Sequence, residues 1–254
     1  MKQKRGIYIL PSTLTTLGLF AGFYAIISAV QNNYEHAAWA IIMAVVFDIL
    51  DGRVARLLNA ESQFGAEYDS LCDMVSFGVA PALLVYLWAL PSMGNLGGVA
   101  AFFITACSAL RLARFNTQAA HDDKRYFQGL PTPATAIFIS SAVLMYEQYD
   151  IQPIAIVWTC LSTALAYLMV SRIRFFAGKD MDIKKPRRFT VLLLILAILG
   201  LIASYPAAVL FIGTLLYCLH GPLLSMYQRQ KILRTRLARN RRTQPNTDSE
   251  THHD

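Results

Sequence analysis

Eight stretches of about 20 mostly apolar residues decide what this chain can become. They lie near 10–30, 36–57, 66–90, 97–115, 131–148, 151–170, 188–204 and 206–227. Each is long enough to cross a hydrocarbon core of roughly 30 Å. In lipid every backbone N–H and C=O must find its partner within the protein, so each stretch predicts a helix. None shows the sustained apolar–polar alternation of a membrane strand. Charged residues make up only 15% of 254 positions, against about a quarter in an ordinary soluble domain. The fold class that follows is all-α, a polytopic membrane helical bundle of about eight transmembrane helices.

The cations fix its orientation. All 23 Lys and Arg lie before the first run, at alternate connections with their helix ends, or after the last run. The other connections, near 31–35, 91–96, 148–151 and 204–206, have none. By the positive-inside rule both termini face the cytoplasm, in a cytoplasmic-type (inner) membrane. The net charge of +7 would suit nucleic acid. Its juxtamembrane placement points instead to lipid head groups, and no nucleic-acid partner is expected. The N-terminal Met-Lys-Gln-Lys-Arg resembles the start of a signal peptide, but the apolar run behind it is long, which favours an uncleaved span. Cys72, Cys107, Cys160 and Cys218 have no metal-ligand spacing and read as packing residues. Residues 1–228 form the expected membrane domain. Residues 229–254 form a basic cytoplasmic tail, its first half suited to a helix at the membrane surface and its end, 243–254, expected to be disordered.

Carboxylates inside a membrane are costly and mark function by default. Here four occupy two consecutive runs. Asp48 and Asp51 are one turn apart, and Ala55 follows one turn later. Gly65, Asp69 and Asp73 recur every four residues along one helix face. A short cytoplasmic turn joins the two helices, so the acidic faces can oppose each other near that end. Gly52, Ala55 and Gly65 between them would let helices or a ligand approach closely. Four carboxylates in one pocket call for cations, and hard oxygen ligands suit Mg²⁺ or Mn²⁺. Two such ions bridged by carboxylates suit displacement at phosphorus, with Arg53 or Arg56 on further phosphate oxygens. The plain structural alternative is a hairpin in which Arg53 and Arg56 neutralise Asp48 and Asp51; two arginines cannot neutralise four aspartates.

The pattern Asp48-x2-Asp51-Gly52-x2-Ala55-Arg56-x8-Gly65-x3-Asp69-x3-Asp73 resembles the signature of the CDP-alcohol phosphotransferase family at every fixed position. The resemblance implies that Asp48, Asp51, Asp69 and Asp73 hold two divalent ions and that Asp73 is the general base. It also implies that Gly52 and Ala55 leave room for the cytidine nucleotide, and that the enzyme is a homodimer. The likeness extends over most of residues 7–133. Asp69-Ser70-Leu71-Cys72-Asp73-Met74-Val75-Ser76-Phe77-Gly78-Val79-Ala80-Pro81, Leu110-Arg111-Leu112-Ala113-Arg114-Phe115-Asn116 and Phe127-Gln128-Gly129-Leu130-Pro131-Thr132-Pro133 resemble the integral-membrane phosphatidylserine synthases. That branch implies CDP-diacylglycerol and L-serine as substrates, with phosphatidylserine and CMP as products. One departure is Pro11-Ser12, where relatives usually carry Pro-Asn.

Serine would need a cation for its carboxylate. Arg111 and Arg114 stand at the cytoplasmic end of the fourth run. Position alone favours a role as membrane anchors; the string around them favours a substrate role for at least one. Asn116 and Gln128 are further candidates that loop solvation explains equally well. Rival readings are another acceptor within the family (glycerol phosphate, inositol phosphate or a lipid) and a cation transporter. The transporter predicts midplane carboxylates in broken helices within repeats, and no repeat is evident.

Overall fold

The computed structural model describes residues 9–60, 62–118, 126–171, 173–176, 200 and 204–243. Its helices are α1 (Ile9–Val30), α2 (Tyr34–Leu57), α3 (Gln63–Asp73), α4 (Ala80–Ala89), α5 (Asn95–Gln118), α6 (Thr132–Gln148), α7 (Ala155–Val170) and α8 (Pro206–Thr243). A π-helical turn, Met74–Val79, joins α3 to α4, so 63–89 is one continuous rod. The first six apolar runs and the last are thus helical. The seventh, 188–204, falls almost wholly outside the described residues. Four described helices are long and apolar enough to cross a membrane: Ile9–Val30, Gln63–Ala89, Asn95–Thr117 and Pro206–Leu223. The chain is an integral membrane protein. Large apolar side chains such as Phe20, Phe23, Phe102, Ile212 and Leu216 point outward, as a lipid-facing surface requires.

One feature departs from the expected plan. The helices are accompanied by a short antiparallel ribbon, β1 (Tyr126–Gln128) against β2 (Arg174–Phe176), with Phe127 opposite Phe175. It joins the connection after α5 to the one after α7, where extended backbone needs hydrogen-bond partners that a helix would otherwise supply. Gly129 follows it with φ +81°, and Leu130 N–H donates to Leu168 O at 3.0 Å. The backbone of α8 runs on as helix past 228 to Thr243. The change there is from apolar to basic side chains, and Arg, Lys, Gln, Leu and Ala are all good helix formers. Residues 244–254 lie outside the described residues.

Small side chains set the packing. α1 buries Gly18, Ala21, Gly22, Ala25, Ser28 and Ala29, and α2 meets it with Ala37, Ala40, Ile41 and Ala44. Without bulk between them the two backbones approach closely, and dispersion contacts replace the hydrophobic effect that lipid cannot supply. At the opposite end from the acidic residues, Trp88, Tyr146 and Trp158 clasp α4, α6 and α7. Trp88 lies 4.9 Å from Trp158 and 5.2 Å from Tyr146, both edge-on. Tyr34 Oη donates to Leu87 O at 3.1 Å, tying the start of α2 to the same region.

The π-turn is where α3 and α4 press on α1. Ala80 N–H bonds Val75 O, five residues back, and Pro81 next in line has no N–H to give. The widened turn presents Ser76 to α1, where its Oγ donates to Gly18 O at 3.2 Å. Gly22 lies directly beneath, and a β-carbon there would sit 2.7 Å from Ser76 Cα. Backbone cannot step aside as a flexible side-chain tip can. At Gly18 the nearest atom to an added β-carbon is Phe47 Cβ at 3.6 Å, an ordinary contact. Gly22→Ala should therefore destabilise the protein by about 1–3 kcal/mol, the usual cost of overpacking, whereas Gly18→Ala should be mild. Thermal unfolding of the two variants in detergent checks this; equal melting temperatures would count against the close contact.

Candidate functional site

The carboxylates converge where α2 ends and α3 begins. A turn of helix separates Asp48 from Asp51, about 9–14 Å from the C-terminal end of α2 at 1.5 Å per residue. Ser62 caps α3 by accepting from Gly65 N–H at 3.0 Å, which starts the helix so that Asp69 and Asp73 turn toward α2. Ligand oxygens of Asp48, Asp51 and Asp69 all lie within 4.8 Å of one another. Asp73 borders the same narrow space, about 10 Å³, together with Thr15, Gly18, Cys72 and Ser76. Asp51 is buried, and its Oδ2 has no hydrogen-bond partner among the described residues.

These facts test whether the residues fit a metal. Two carboxylates 4.8 Å apart repel by roughly 3–4 kcal/mol at an effective dielectric near 20. Three such pairs would consume much of a domain's net stability of about 5–15 kcal/mol. Of the two arginines expected as neutralising partners, Arg53 is exposed and Arg56 Nε donates to Gly52 O, at 2.8 Å, in its own helix. An unpartnered buried oxygen among three converging carboxylates fits a hard divalent cation. The cluster can hold a metal ion.

A cavity of about 540 Å³ opens beside it, sharing Thr15, Asp51 and Asp69 as common wall. Gly52, Ala55, Arg56 and Gly65 line this cavity, as do Pro11 and Ser12. Its size is that of a small-molecule site. A β-carbon on Gly52 would come no nearer than 3.9 Å to Arg56 Nη2, so the glycine leaves room for a ligand and not for a packed helix. Arg53 is exposed and is not part of this wall.

The four acceptor candidates separate. Arg111 is within electrostatic reach of Asp73; its Nη1 donates to Thr132 Oγ1 at 3.4 Å, and its buried Nε has no partner among the described residues. Arg114 braces the C-terminal end of α5: Nη2 donates to Gln128 Oε1 and Nη1 to Val170 O at 3.3 Å. Asn116 bridges α5 to α3, its Nδ2 donating to Ser70 Oγ at 3.0 Å. Gln128 and Asn116 are thus engaged with other parts of the fold. Thr15 and Ser62, which line the cavity, were not singled out from sequence. The signal for Thr15 was present in the spacing Pro11-x3-Thr15-x2-Gly18-x3-Gly22, which puts it on the small-residue face of α1. The four cysteines are free; Cys72 and Cys218 are buried, and Cys160 is exposed.

Comparison with known proteins gives this arrangement its context. Residues 8–165 match the profile of the CDP-alcohol phosphatidyltransferase family. A CDP-diacylglycerol--serine O-phosphatidyltransferase of Helicobacter pylori is 33% identical over 229 residues, covering 89% of this chain and 95% of the relative. A protein of the same name from Mycobacterium leprae is 35% identical, covering 88% of this chain and 76% of its own length. One from Bacillus subtilis is 35% identical over 65% of this chain and 89% of its own. The acidic pattern, the small-walled cavity beside it and the extent of these matches lead to one conclusion: the chain belongs to the CDP-alcohol phosphatidyltransferase family.

Proposed function

We propose that this protein is a phosphatidylserine synthase that transfers the phosphatidyl group of CDP-diacylglycerol to L-serine and releases CMP. The likeness over nearly the full chain to relatives bearing that activity in their names carries the reading. The site supports it: a carboxylate cluster adjoins a cavity of nucleotide size, and Arg111 is within electrostatic reach of Asp73.

In this reading residues 1–228 are the catalytic membrane domain, with eight spans, both termini and the site facing the cytoplasm, and 229–254 are a basic tail. The protein works as a homodimer, as the family resemblance implies. Gly52, Ala55 and Gly65 admit the cytidine nucleotide, while Arg56, with Arg53 near the mouth, meets phosphate oxygens. The lipid tails remain in the bilayer. Two Mg²⁺ or Mn²⁺ ions on Asp48, Asp51, Asp69 and Asp73 would neutralise the diphosphate and the leaving CMP phosphate. Asp73 accepts the proton of the serine hydroxyl as that oxygen bonds the lipid-side phosphorus and the bond to CMP breaks. Arg111 holds the serine carboxylate, which fixes where the hydroxyl points.

Purified protein given CDP-diacylglycerol, Mn²⁺ or Mg²⁺ and a panel of serine, glycerol phosphate and inositol phosphate should release CMP and form lipid product with serine. Product with another acceptor alone would reassign the substrate within the family. EDTA should abolish turnover and added metal restore it. Asp69→Asn keeps size but loses a charged ligand, and should lower kcat by roughly a hundredfold or more while the protein still inserts. Turnover that survives chelation would sink the metal mechanism.

The topology has its own test. Single cysteines at Ser92 and Asn246, in a background without the four native ones, should differ toward an impermeant reagent on intact cells. Position 92 should label and position 246 should label only after lysis. The reverse pattern would invert the orientation.

A further inference from the structure

The cavity is walled by α1, α2 and α3, and a relay of hydroxyls ties α1 to α3 on the outside of the bundle. Thr16 of α1 and Tyr68 of α3 place Oγ1 and Oη 2.9 Å apart. Thr16 Oγ1 also donates to Ser12 O, 2.7 Å away and one turn back in its own helix. A threonine hydroxyl has a single hydrogen, so toward Tyr68 it can only accept. The direction is therefore fixed: Tyr68 donates to Thr16, and Thr16 donates to the Ser12 carbonyl. The Tyr68 ring is itself stacked on Phe64, one turn earlier, with centroids 6.0 Å apart and planes 4° apart.

This relay spans two walls of the cavity. Ser12 and Thr15 line it from α1, and Gly65, Ala66 and Asp69 line it from α3. Tyr68 directly precedes Asp69, which also belongs to the carboxylate cluster. Ser76 fastens the same rod to Gly18, but about 12 Å farther along it, beyond the carboxylates. Ser12 stands three residues after Ile9, near the start of α1, where a helix frays unless it is restrained. A wall that moves when the cavity is empty has to be ordered as a ligand enters, and that ordering weakens binding. We propose that Tyr68 is a positioning residue that, through Thr16, holds the α1 wall of the cavity at the spacing a cytidine diphosphate group needs. This rests on the reading of the cavity as the nucleotide site. The plainer role for Tyr68 is that of an aromatic anchor at the membrane–water interface, which needs its ring and not its bond to Thr16.

The test uses the full chain in lipid–detergent micelles. Calorimetry measures binding of CDP in the presence of Mn²⁺, and CMP release measures KM for CDP-diacylglycerol and, with that substrate saturating, KM for serine. Tyr68→Phe keeps the ring and its stack and removes only the hydroxyl. It should weaken CDP binding and raise KM for CDP-diacylglycerol about three- to tenfold, the effect of one net hydrogen bond, and leave KM for serine unchanged. Thr16→Val should do at least as much, and adding Tyr68→Phe to it should weaken binding little further, because the two side chains act along one path. Thr16→Ser restores the hydroxyl and should recover most of what Thr16→Val loses; this pair decides if the Tyr68 variant fails to insert. Unchanged CDP binding by Tyr68→Phe overturns the proposal. So does a loss that falls equally on serine and comes with a lower melting temperature, the mark of a general packing role. If the unaltered protein binds CDP but makes no product with serine, the serine reading fails and the CDP comparison still decides the role of Tyr68. If the unaltered protein does not bind CDP, the nucleotide reading falls and the proposal with it.

Discussion

Mutual repulsion of carboxylates in the interior of a helical bundle is the constraint around which this structure is organised. Asp48, Asp51 and Asp69 crowd within 4.8 Å of one another. Nothing in the intrinsic preferences of two helices would keep them there. The backbone is held in place from outside the cluster. The small-residue seam of α1 and α2 fixes one pair, and the cap at Ser62 starts the helix carrying the other. Ser76, pressed on Gly18 and Gly22, locks α3 against α1 just beyond Asp73. The rigid apolar framework thus bears an electrostatic cost that a divalent cation would relieve.

Much of this was legible in the sequence because lipid leaves the backbone few choices. Apolar runs foretold the first six helices and the last, and the spacing of the four aspartates foretold which faces would meet. What the sequence concealed came from tertiary contacts. A π-turn differs from α-helix by one residue in hydrogen-bond register, and Met-Val-Ser-Phe-Gly-Val shows no periodicity that announces it. The direction of Arg56, toward Gly52 O within its own helix, is a rotamer choice made by its surroundings.

The strings that pointed to serine contain two kinds of residue. Gly129 has positive φ, and a β-carbon on it would fall on the Met169 carbonyl, so its place in Gln-Gly-Leu-Pro is structural. Leu130 is fully buried, and Gln128 and Arg114 brace one another. Arg111 is different: it is partly buried, only lightly bonded and within electrostatic reach of Asp73. A motif diagnostic of substrate can therefore consist largely of scaffold, with one or two side chains carrying the chemistry.

The π-turn also changes how this helix counts. One residue added to a turn rotates everything beyond it by roughly 100° relative to an unbroken α-helix. The acidic face of α3 and the packing face of α4 are therefore set to different phases of a single rod. Deleting any one residue between Met74 and Val79 would restore a regular spiral and bring the two phases together. Either the aspartates or Trp88 and its aromatic partners would then face the wrong neighbours. The 63–89 segment is therefore constrained in length as well as in sequence.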